Sequence, residues 1–158
     1  MTGQVVVMGH DRSPNDCYMQ VAGSGLCIPA GALRNAMKKS ATLRRLLMSY
    51  VQTFTMQATY TALINARGKL EERLARWLLM AHDRVDGDEL QIKHGSIALM
   101  LGVRRAGVTV ALRELSSVGL IKAGRGRIVI GDREGLEEEA NGFYGTAERE
   151  YKRLMGQA

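Results

Sequence analysis

Cysteine, histidine and long apolar runs are all scarce in this sequence of 158 residues. Two cysteines, Cys17 and Cys27, are too few for a disulfide framework or for the four ligands of an iron–sulfur cluster. Free thiols tend to be buried, so two partly buried thiols in strands are expected instead. The three histidines, His10, His82 and His94, lack i, i+4 pairing and have no carboxylate at ligand spacing. No metal site is therefore expected.

The sequence also has no recognisable membrane span or signal peptide. No apolar run reaches the roughly 18 residues that a membrane span needs. The short apolar run at residues 5–8 has no basic residues before it, so it makes a poor signal peptide. These absences predict a cytoplasmic protein. No nucleophile–base pair or carboxylate dyad stands out, so an enzyme is the least favoured class and no catalytic residue is predicted.

What the sequence does have is positive charge, concentrated in one window. The formal net charge is +6, and residues 90–131 alone carry seven basic residues against the single acid Glu114. Residues 132–139 that follow are acidic. A basic segment next to an acidic one is typical of a surface that binds a polyanion, although a solvated basic face would give the same pattern. The basic residues are Lys93, Arg104, Arg105, Arg113, Lys122, Arg125 and Arg127.

The N-terminal third predicts a few strands and then a long helix. Residues 4–8, 17–21 and 26–28 have the composition of short strands, but they are too few to bury a core. After a short helix at 31–37, Ser40 caps a helix over 42–66 that would be near 37 Å long. A second copy of this helix would cover its apolar stripe, so we expect a homodimer, with an intramolecular core as the alternative. The predicted dimer contacts are Leu47, Tyr50, Val51, Phe54 and Ala58.

A helix-turn-helix pattern lies inside the basic window. A helix over 94–101 and a second over 104–118 flank Gly102, which can take the positive φ of a tight turn. Ala98 is small enough for close helix crossing, and Val108 would lie between the two helices. In such motifs the second helix enters the DNA major groove.

The exposed face of the second helix carries the candidate readers of DNA. Arg105 in its first turn has the paired donors that recognise guanine, so it is the predicted base reader. Arg104 and Arg113 are expected on the phosphate backbone, with a salt bridge to a helix neighbour as the alternative for Arg113. Thr109 would contact a thymine methyl group or a phosphate. The predicted DNA contacts are Lys93, His94, Arg104, Arg105, Thr109, Val110, Arg113, Arg125 and Arg127.

A hairpin follows the second helix. Residues 119–122 and 127–130 are predicted strands, joined by the glycine-rich turn 123–126. This is a β-wing with Arg125 at its tip, where the guanidinium could reach a flanking phosphate or a narrow minor groove. The turn opens no helix, so it is not a nucleotide-binding phosphate loop.

From about Lys69 to Leu136 the sequence resembles the winged-helix domain of the cyclic-AMP receptor / fumarate–nitrate regulator (Crp/Fnr) family. The resemblance implies a DNA-binding transcription regulator with a dimer helix before the domain, RNA polymerase as a further partner, and no catalysis. A winged-helix module that binds protein and has lost DNA binding is the competing class. The segments that carry the resemblance are 70–75 (LEERLA), 97–102 (IALMLG), 108–112 (VTVAL), 119–121 (GLI) and 126–130 (GRIVI).

The chain also differs from the family that it resembles in several features. Arg12-Ser13 is similar to the end of a cyclic-nucleotide phosphate cassette whose Gly-Glu half is not recognisable, so no cyclic nucleotide or other cofactor is expected. Ala106 replaces an acid that one family member carries after its base-reading arginine, so the operator should differ. The cysteines of the oxygen-sensing branch are missing.

The predicted fold class is α+β, with a long dimerisation helix and a winged helix-turn-helix domain after a few strands of a truncated β-roll. The predicted domains are a remnant of an effector-binding β-roll at 1–39, the dimerisation helix at 40–67, the DNA-binding domain at 68–145, and a C-terminal helix or tail at 146–158.

Overall fold

A computed structural model describes residues 1–17, 19 and 23–156 of the chain. Most of the described residues are helical, and the strands are short. In chain order the elements are α1 (Gln4–Val7), α2 (Ala30–Lys39), α3 (Ala41–Arg67), α4 (Leu70–His82), β1 (Glu89–Leu90), α5 (His94–Leu101), α6 (Arg105–Ser117), β2 (Ile121–Gly124), β3 (Arg127–Ile130), α7 (Arg133–Glu139) and α8 (Thr146–Met155).

The chain divides into two compact units. One is Thr59–Thr146, and the other joins Met1–Ala58 with Ala147–Ala158. The first unit has a single apolar core to which α4, α5, α6, α7 and the sheet all contribute, as expected for a winged helix. Its fully buried large side chains include Leu74, Leu78, Leu79, Ile97, Val108, Leu112, Ile121, Ile128 and Leu136.

Helices α5 and α6 form the helix-turn-helix that the sequence predicts. Gly102 has φ +64° and ψ 37°, a left-handed conformation that ends α5 and that glycine adopts without steric cost. The chain then bends by 106° before α6 begins. Val108 and Ala98 are buried at the contact between the helices. The predicted bounds of α5 are confirmed, and Arg104 lies just before α6 as its N-cap.

The end of α6 shifts the wing relative to the sequence prediction. Gly119 has φ +84°, its N–H donates to Ser116, and the N–H of Leu120 donates to Leu115, which is the Schellman arrangement for ending a helix. Because Gly119 belongs to this helix cap, strand β2 begins two residues later than predicted. Gly124 then pairs with Arg127, and the turn shortens to residues 125–126.

The sheet has three antiparallel strands in the order β1-β3-β2. Glu89 lies opposite Val129 on one side of β3, and Ile121 lies opposite Ile130 on the other. Ile121, Ile128 and Ile130 face the core, which fixes the register because a slip of one residue would expose them. The winged helix-turn-helix and the α+β class are thereby confirmed.

The strands predicted at the N-terminus are not seen in the described residues. Residues 4–7 form helix α1 instead, where a strand was predicted, because β-branched residues favour strands only where a partner strand is available. Residues 26–28 have no regular structure, and much of the strand predicted at 17–21 lies outside the described residues. Cys17 and Cys27 are both exposed, so the expectation of partly buried thiols was wrong.

Helix α3 has 27 residues and is about 40 Å long. One side is buried through Thr53 and Ile64, whereas Phe54 on another side is 46% exposed. No single helix in the described chain has the length and apolar content of a membrane span. Helices α5 and α6 meet that test only when joined across their bend.

Candidate nucleic-acid interface

An open cleft of about 1100 Å³ separates the outer face of α6 from the wing. Three elements line it: the start of α5, one face of α6, and the tip of the hairpin between β2 and β3. Six of the nine predicted DNA contacts lie here, and the lining residues in the described chain include no aspartate or glutamate. These six are Lys93, His94, Arg105, Thr109, Arg113 and Arg125.

Helix α6 presents its side chains to the cleft because its opposite face is held in the core. Val108, Leu112 and Leu115 are buried, which directs Arg105 and Arg113 outward at helical spacing. Neither arginine takes part in an ion pair within the described residues, so the salt bridge considered for Arg113 is not formed there.

Thr109 links the recognition helix to the start of α5. Its hydroxyl lies 3.1 Å from the carbonyl oxygen of Arg105, to which it donates, and 3.2 Å from Nδ1 of His94. The hydroxyl is therefore engaged within the protein, and the methyl group is the part of Thr109 that is left for a ligand. Of the two roles predicted for Thr109, this favours contact with a thymine methyl group.

Three of the nine predicted contacts lie outside the cleft. Arg104 is the exposed N-cap of α6, and Val110 is 50% exposed on the helix surface next to the cleft. Arg127 is in β3, where its guanidinium lies 3.8 Å from the carboxylate of Glu89 on β1. Sequence reasoning missed this pair because it depends on the register of the sheet. Within the described residues, Arg127 is the predicted contact that forms an ion pair, and both side chains of this pair are well exposed.

The acid of the basic window, Glu114, lies away from the cleft. Loss of hydration raises the pKa of its carboxyl group, as do a hydrogen bond with Glu71 on α4 and the negative charges of Glu71 and Glu139. The unit thus carries cations along the cleft and carboxylates elsewhere. An anion in the cleft meets charge of one sign only.

Some residues in the cleft were missed by sequence reasoning. Ser96 and Ser116 line it, together with Gly95, Ala123, Gly124 and Gly126. Ser96 is in the first turn of α5, so its position was available from the helix pattern. Ser116 donates to the carbonyl oxygen of Leu112 at 2.7 Å and contributes mainly by being small.

A polar network at Arg133 holds α7 to the end of α4. The guanidinium donates to Asp83 at 2.8 Å, to His82 Nδ1 at 2.8 Å and to the hydroxyl of Tyr144 at 2.6 Å, and it forms an i, i+4 pair with Glu137. These bonds fasten the side of the domain that carries no predicted DNA contact. The described residues contain no group of three metal-ligating side chains.

The predicted dimer contacts lie along one side of α3, at steps of three and four residues, but they differ in their contacts. Phe54 and Ala58 are exposed, and Leu47 and Val51 beside them are partly exposed. Tyr50 differs, because its hydroxyl bonds to the amino group of Met1 at 2.7 Å and to the carbonyl oxygen of Met1 at 3.0 Å. Tyr50 therefore already has a contact within its own chain.

Known proteins resemble part of this chain, and that part includes the winged-helix domain. Residues 72–139 match the model of the Crp-like helix-turn-helix domain. A protein from Eubacterium rectale, described as a transcriptional regulator of the Crp/Fnr family, is 31% identical over 72% of this chain and 53% of its own, with a TM-score of 0.56. A CooA variant from Carboxydothermus hydrogenoformans is 21% identical over 70% of this chain and 50% of its own, with a TM-score of 0.50, and shares the fold.

The chain spans about half the length of these two structures. No curated protein matches it. The agreement between the matched domain, the helix-turn-helix geometry and the wing confirms the resemblance found in the sequence. Residues 72–139 form a Crp-like helix-turn-helix domain, and the chain is similar to a regulator of the Crp/Fnr family over 72% of its length.

Proposed function

We propose that this protein is a sequence-specific transcription regulator that binds double-stranded DNA as a homodimer. The observation that carries the proposal is the cleft, on which Lys93, Arg105, Arg113 and Arg125 converge from three elements, with no carboxylate among the described residues that line it. A surface that binds another protein has no need for charge of a single sign. The DNA backbone is a polyanion and matches it.

The positions of the cations suggest a division of roles. Arg105 begins the recognition helix, where side chains reach base edges in the major groove, and its two parallel donors fit guanine O6 and N7. Arg125 is at the tip of the two-residue wing turn and can reach the backbone of a flanking segment. Lys93, Arg104 and Arg113 supply further phosphate contacts. Val110 and the methyl group of Thr109 are apolar partners for thymine.

Helix α3 supports the homodimer. Leu47, Val51, Phe54 and Ala58 recur at steps of four and three residues, which places them along one side of a helix. This side is only partly covered within the chain, and Phe54 is 46% exposed. A second copy of the same helix would cover it through a two-fold contact. Two recognition helices would then read half-sites about 34–36 Å apart.

The test begins with selection of binding sites from random duplex DNA. Arg105→Ala should then lose about 1–3 kcal/mol on the selected site and relax the preference at one base pair per half-site. Arg125→Ala should weaken selected and scrambled duplexes alike, and should lower the slope of log affinity against log salt by about one for each phosphate that Arg125 neutralises.

Arg12→Ala is the control, because it removes the same charge from an exposed residue outside the cleft. It should leave affinity and salt slope close to those of the wild type. If Arg105→Ala weakens both duplexes equally, Arg105 is a phosphate contact, and base reading passes to Arg104, Thr109 or Val110. A wild-type protein that binds no duplex at low salt would overturn the proposal as a whole.

A further inference from the structure

His94 has an unusual position among the cleft residues, because its hydrogen bond fixes where its proton lies. The Thr109 hydroxyl has one hydrogen, and the Arg105 carbonyl at 3.1 Å can only accept it. With its hydrogen on that carbonyl, the hydroxyl oxygen faces His94 Nδ1 at 3.2 Å as an acceptor, which corresponds to the ring tautomer that carries its hydrogen on Nδ1. Nδ1 then carries a hydrogen in both charge states of the ring. The charge state is decided at Nε2, which has no hydrogen-bond partner within the described part of the chain.

The charged groups around His94 come from each element that lines the cleft. Lys93 precedes it at the start of α5, Arg105 and Arg113 lie on α6, and Arg125 is at the wing tip. Lysine and arginine side chains, as residue types, stay protonated between about pH 5.5 and 8.5. They attract phosphate equally across this range. Histidine, as a residue type, can change its charge within this range.

On the basis of the proposed DNA binding, we propose that His94 takes up a proton from solvent when a DNA phosphate enters the cleft. With Nδ1–H committed to Thr109, the neutral ring offers only the lone pair of Nε2, and a lone pair repels a phosphate oxygen. The protonated ring offers an N–H at Nε2 and a positive charge. A charge-assisted hydrogen bond to phosphate is roughly twice as strong as a neutral one.

The consequence is that affinity for duplex DNA rises as pH falls. By linkage, the slope of log affinity against pH is minus the number of protons taken up per half-site, and for a tenfold difference in affinity between the two charge states it is about −0.5 at its steepest. We expect the affinity per half-site to increase about tenfold between pH 8 and pH 6, the gain typical of one charge-assisted contact. Phosphate binding in the cleft is thus sensitive to pH through one imidazole.

Two substitutions at His94 separate the charge states. In His94→Gln the side-chain amide can still donate to Thr109 but is never charged, so affinity should be independent of pH at the weak level of pH 8. In His94→Lys the side chain is always charged, so affinity should be independent of pH at the strong level of pH 6. Affinities are measured with the selected duplex at constant ionic strength from pH 5.5 to 8.5.

The control is His10→Gln, which removes an exposed imidazole from the N-terminal segment outside the cleft. It should keep the wild-type pH slope. The inference is overturned if wild type shows no slope, or if His94→Gln keeps the full slope. Either result would leave the proposed DNA binding intact, whereas failure of the wild type to bind the duplex at every pH would overturn that function instead.

A second measurement requires no substitution. Titration calorimetry of the wild type with duplex at pH 7, in phosphate buffer and in Tris, reports proton uptake, since the two buffers differ in ionisation enthalpy. We expect net uptake that disappears in His94→Lys. Equal heats in both buffers with wild type would show that no proton is taken up and would refute the inference.

Discussion

The two units of this chain differ in how much of their apolar side chains they bury. In Thr59–Thr146 the large aliphatic residues of four helices and three strands meet in one core, and several are completely buried. In Met1–Ala58 the buried residues are few, chiefly Val7 and Met37, whereas Met8, Ile28, Met48 and Phe54 are 46% or more exposed. The first unit has a core of its own, and the second leaves apolar surface available.

This difference indicates where each unit finds its stability. The winged-helix unit buries enough apolar surface to fold around its own core. The other unit leaves apolar side chains of α3 exposed, Met48 and Phe54 among them, which is in keeping with the proposed homodimer. The surface that the winged-helix unit exposes at its cleft carries positive charge instead.

The strongest test of the comparison is a cavity in the winged-helix core. Leu78→Ala should lower the free energy of unfolding by about 2–5 kcal/mol, because Leu78 is fully buried and the space it leaves cannot be filled. Urea unfolding at a fixed protein concentration measures the change. Leu99→Ala is the control on a side chain that is 68% exposed and should stay within about 0.5 kcal/mol of wild type. Equal losses would mean that the unit has no dominant core.

A charge on the open side of α3 tests the other unit. Phe54→Asp should weaken dimer association on the order of a hundredfold, because the carboxylate would be buried in the seam without a partner. Sedimentation at micromolar concentration should show monomers, and DNA binding should weaken with them. Gln52→Asp introduces the same charge at an exposed position about 200° around the helix from Phe54 and should leave the dimer intact. A wild type that sediments as a monomer would refute the homodimer.

The smallest expected effect concerns the carboxylates of the winged-helix unit. The folded state raises the pKa of Glu114 above its ordinary 4.5, so the stability linked to this group is greatest below that pH and is lost as pH rises through the folded value. Glu114→Gln removes the repulsion from Glu71 and should raise the melting temperature slightly at pH 7, but not at pH 4. The gain should shrink in 1 M salt.

Glu137→Gln is the matched control for this measurement. The carboxylate of Glu137 lies 3.2 Å from Arg133 and so has an attractive partner rather than a repulsive one. Its loss should leave the melting temperature at pH 7 unchanged or slightly lower. A gain equal to that of Glu114→Gln would mean that total charge, and not the contact with Glu71, sets the effect.

Local patterns made the helix-turn-helix predictable. Small, glycine and β-branched residues at Ala98, Gly102 and Val108 each meet a requirement that is set within a few residues, and the structure satisfies all three. The wing was placed with an error of two residues because Gly119 has two possible uses. The sequence marks it as the start of a strand or as the end of a helix, and the cap bonds to Ser116 and Leu115 decide for the helix. The bounds of α7 were not predicted.

The candidate site was predictable as a set of charges but not as a geometry. The basic window identifies the arginines, yet the pairing of Arg127 with Glu89 needs the sheet register, and the bond from His94 to Thr109 needs the packing of two helices. The prediction of strands at the N-terminus was wrong for a related reason. Val5-Val6-Val7 has high strand propensity, but propensity supplies no partner strand.

The turn of the wing consists of Arg125 and Gly126 alone, so the length of the wing is set by the number of paired residues in its two strands. Its ladder is paired to the last residue, Gly124 with Arg127, so the hairpin can lengthen only by adding residues to both strands together. One added pair would turn the tip toward the opposite face of the sheet, because side chains alternate along a strand. Two added pairs restore the facing and extend the tip by about 7 Å, close to the axial rise of two base pairs. Under the proposed DNA binding, the number of paired residues in the hairpin therefore sets how far the Arg125 side chain can reach.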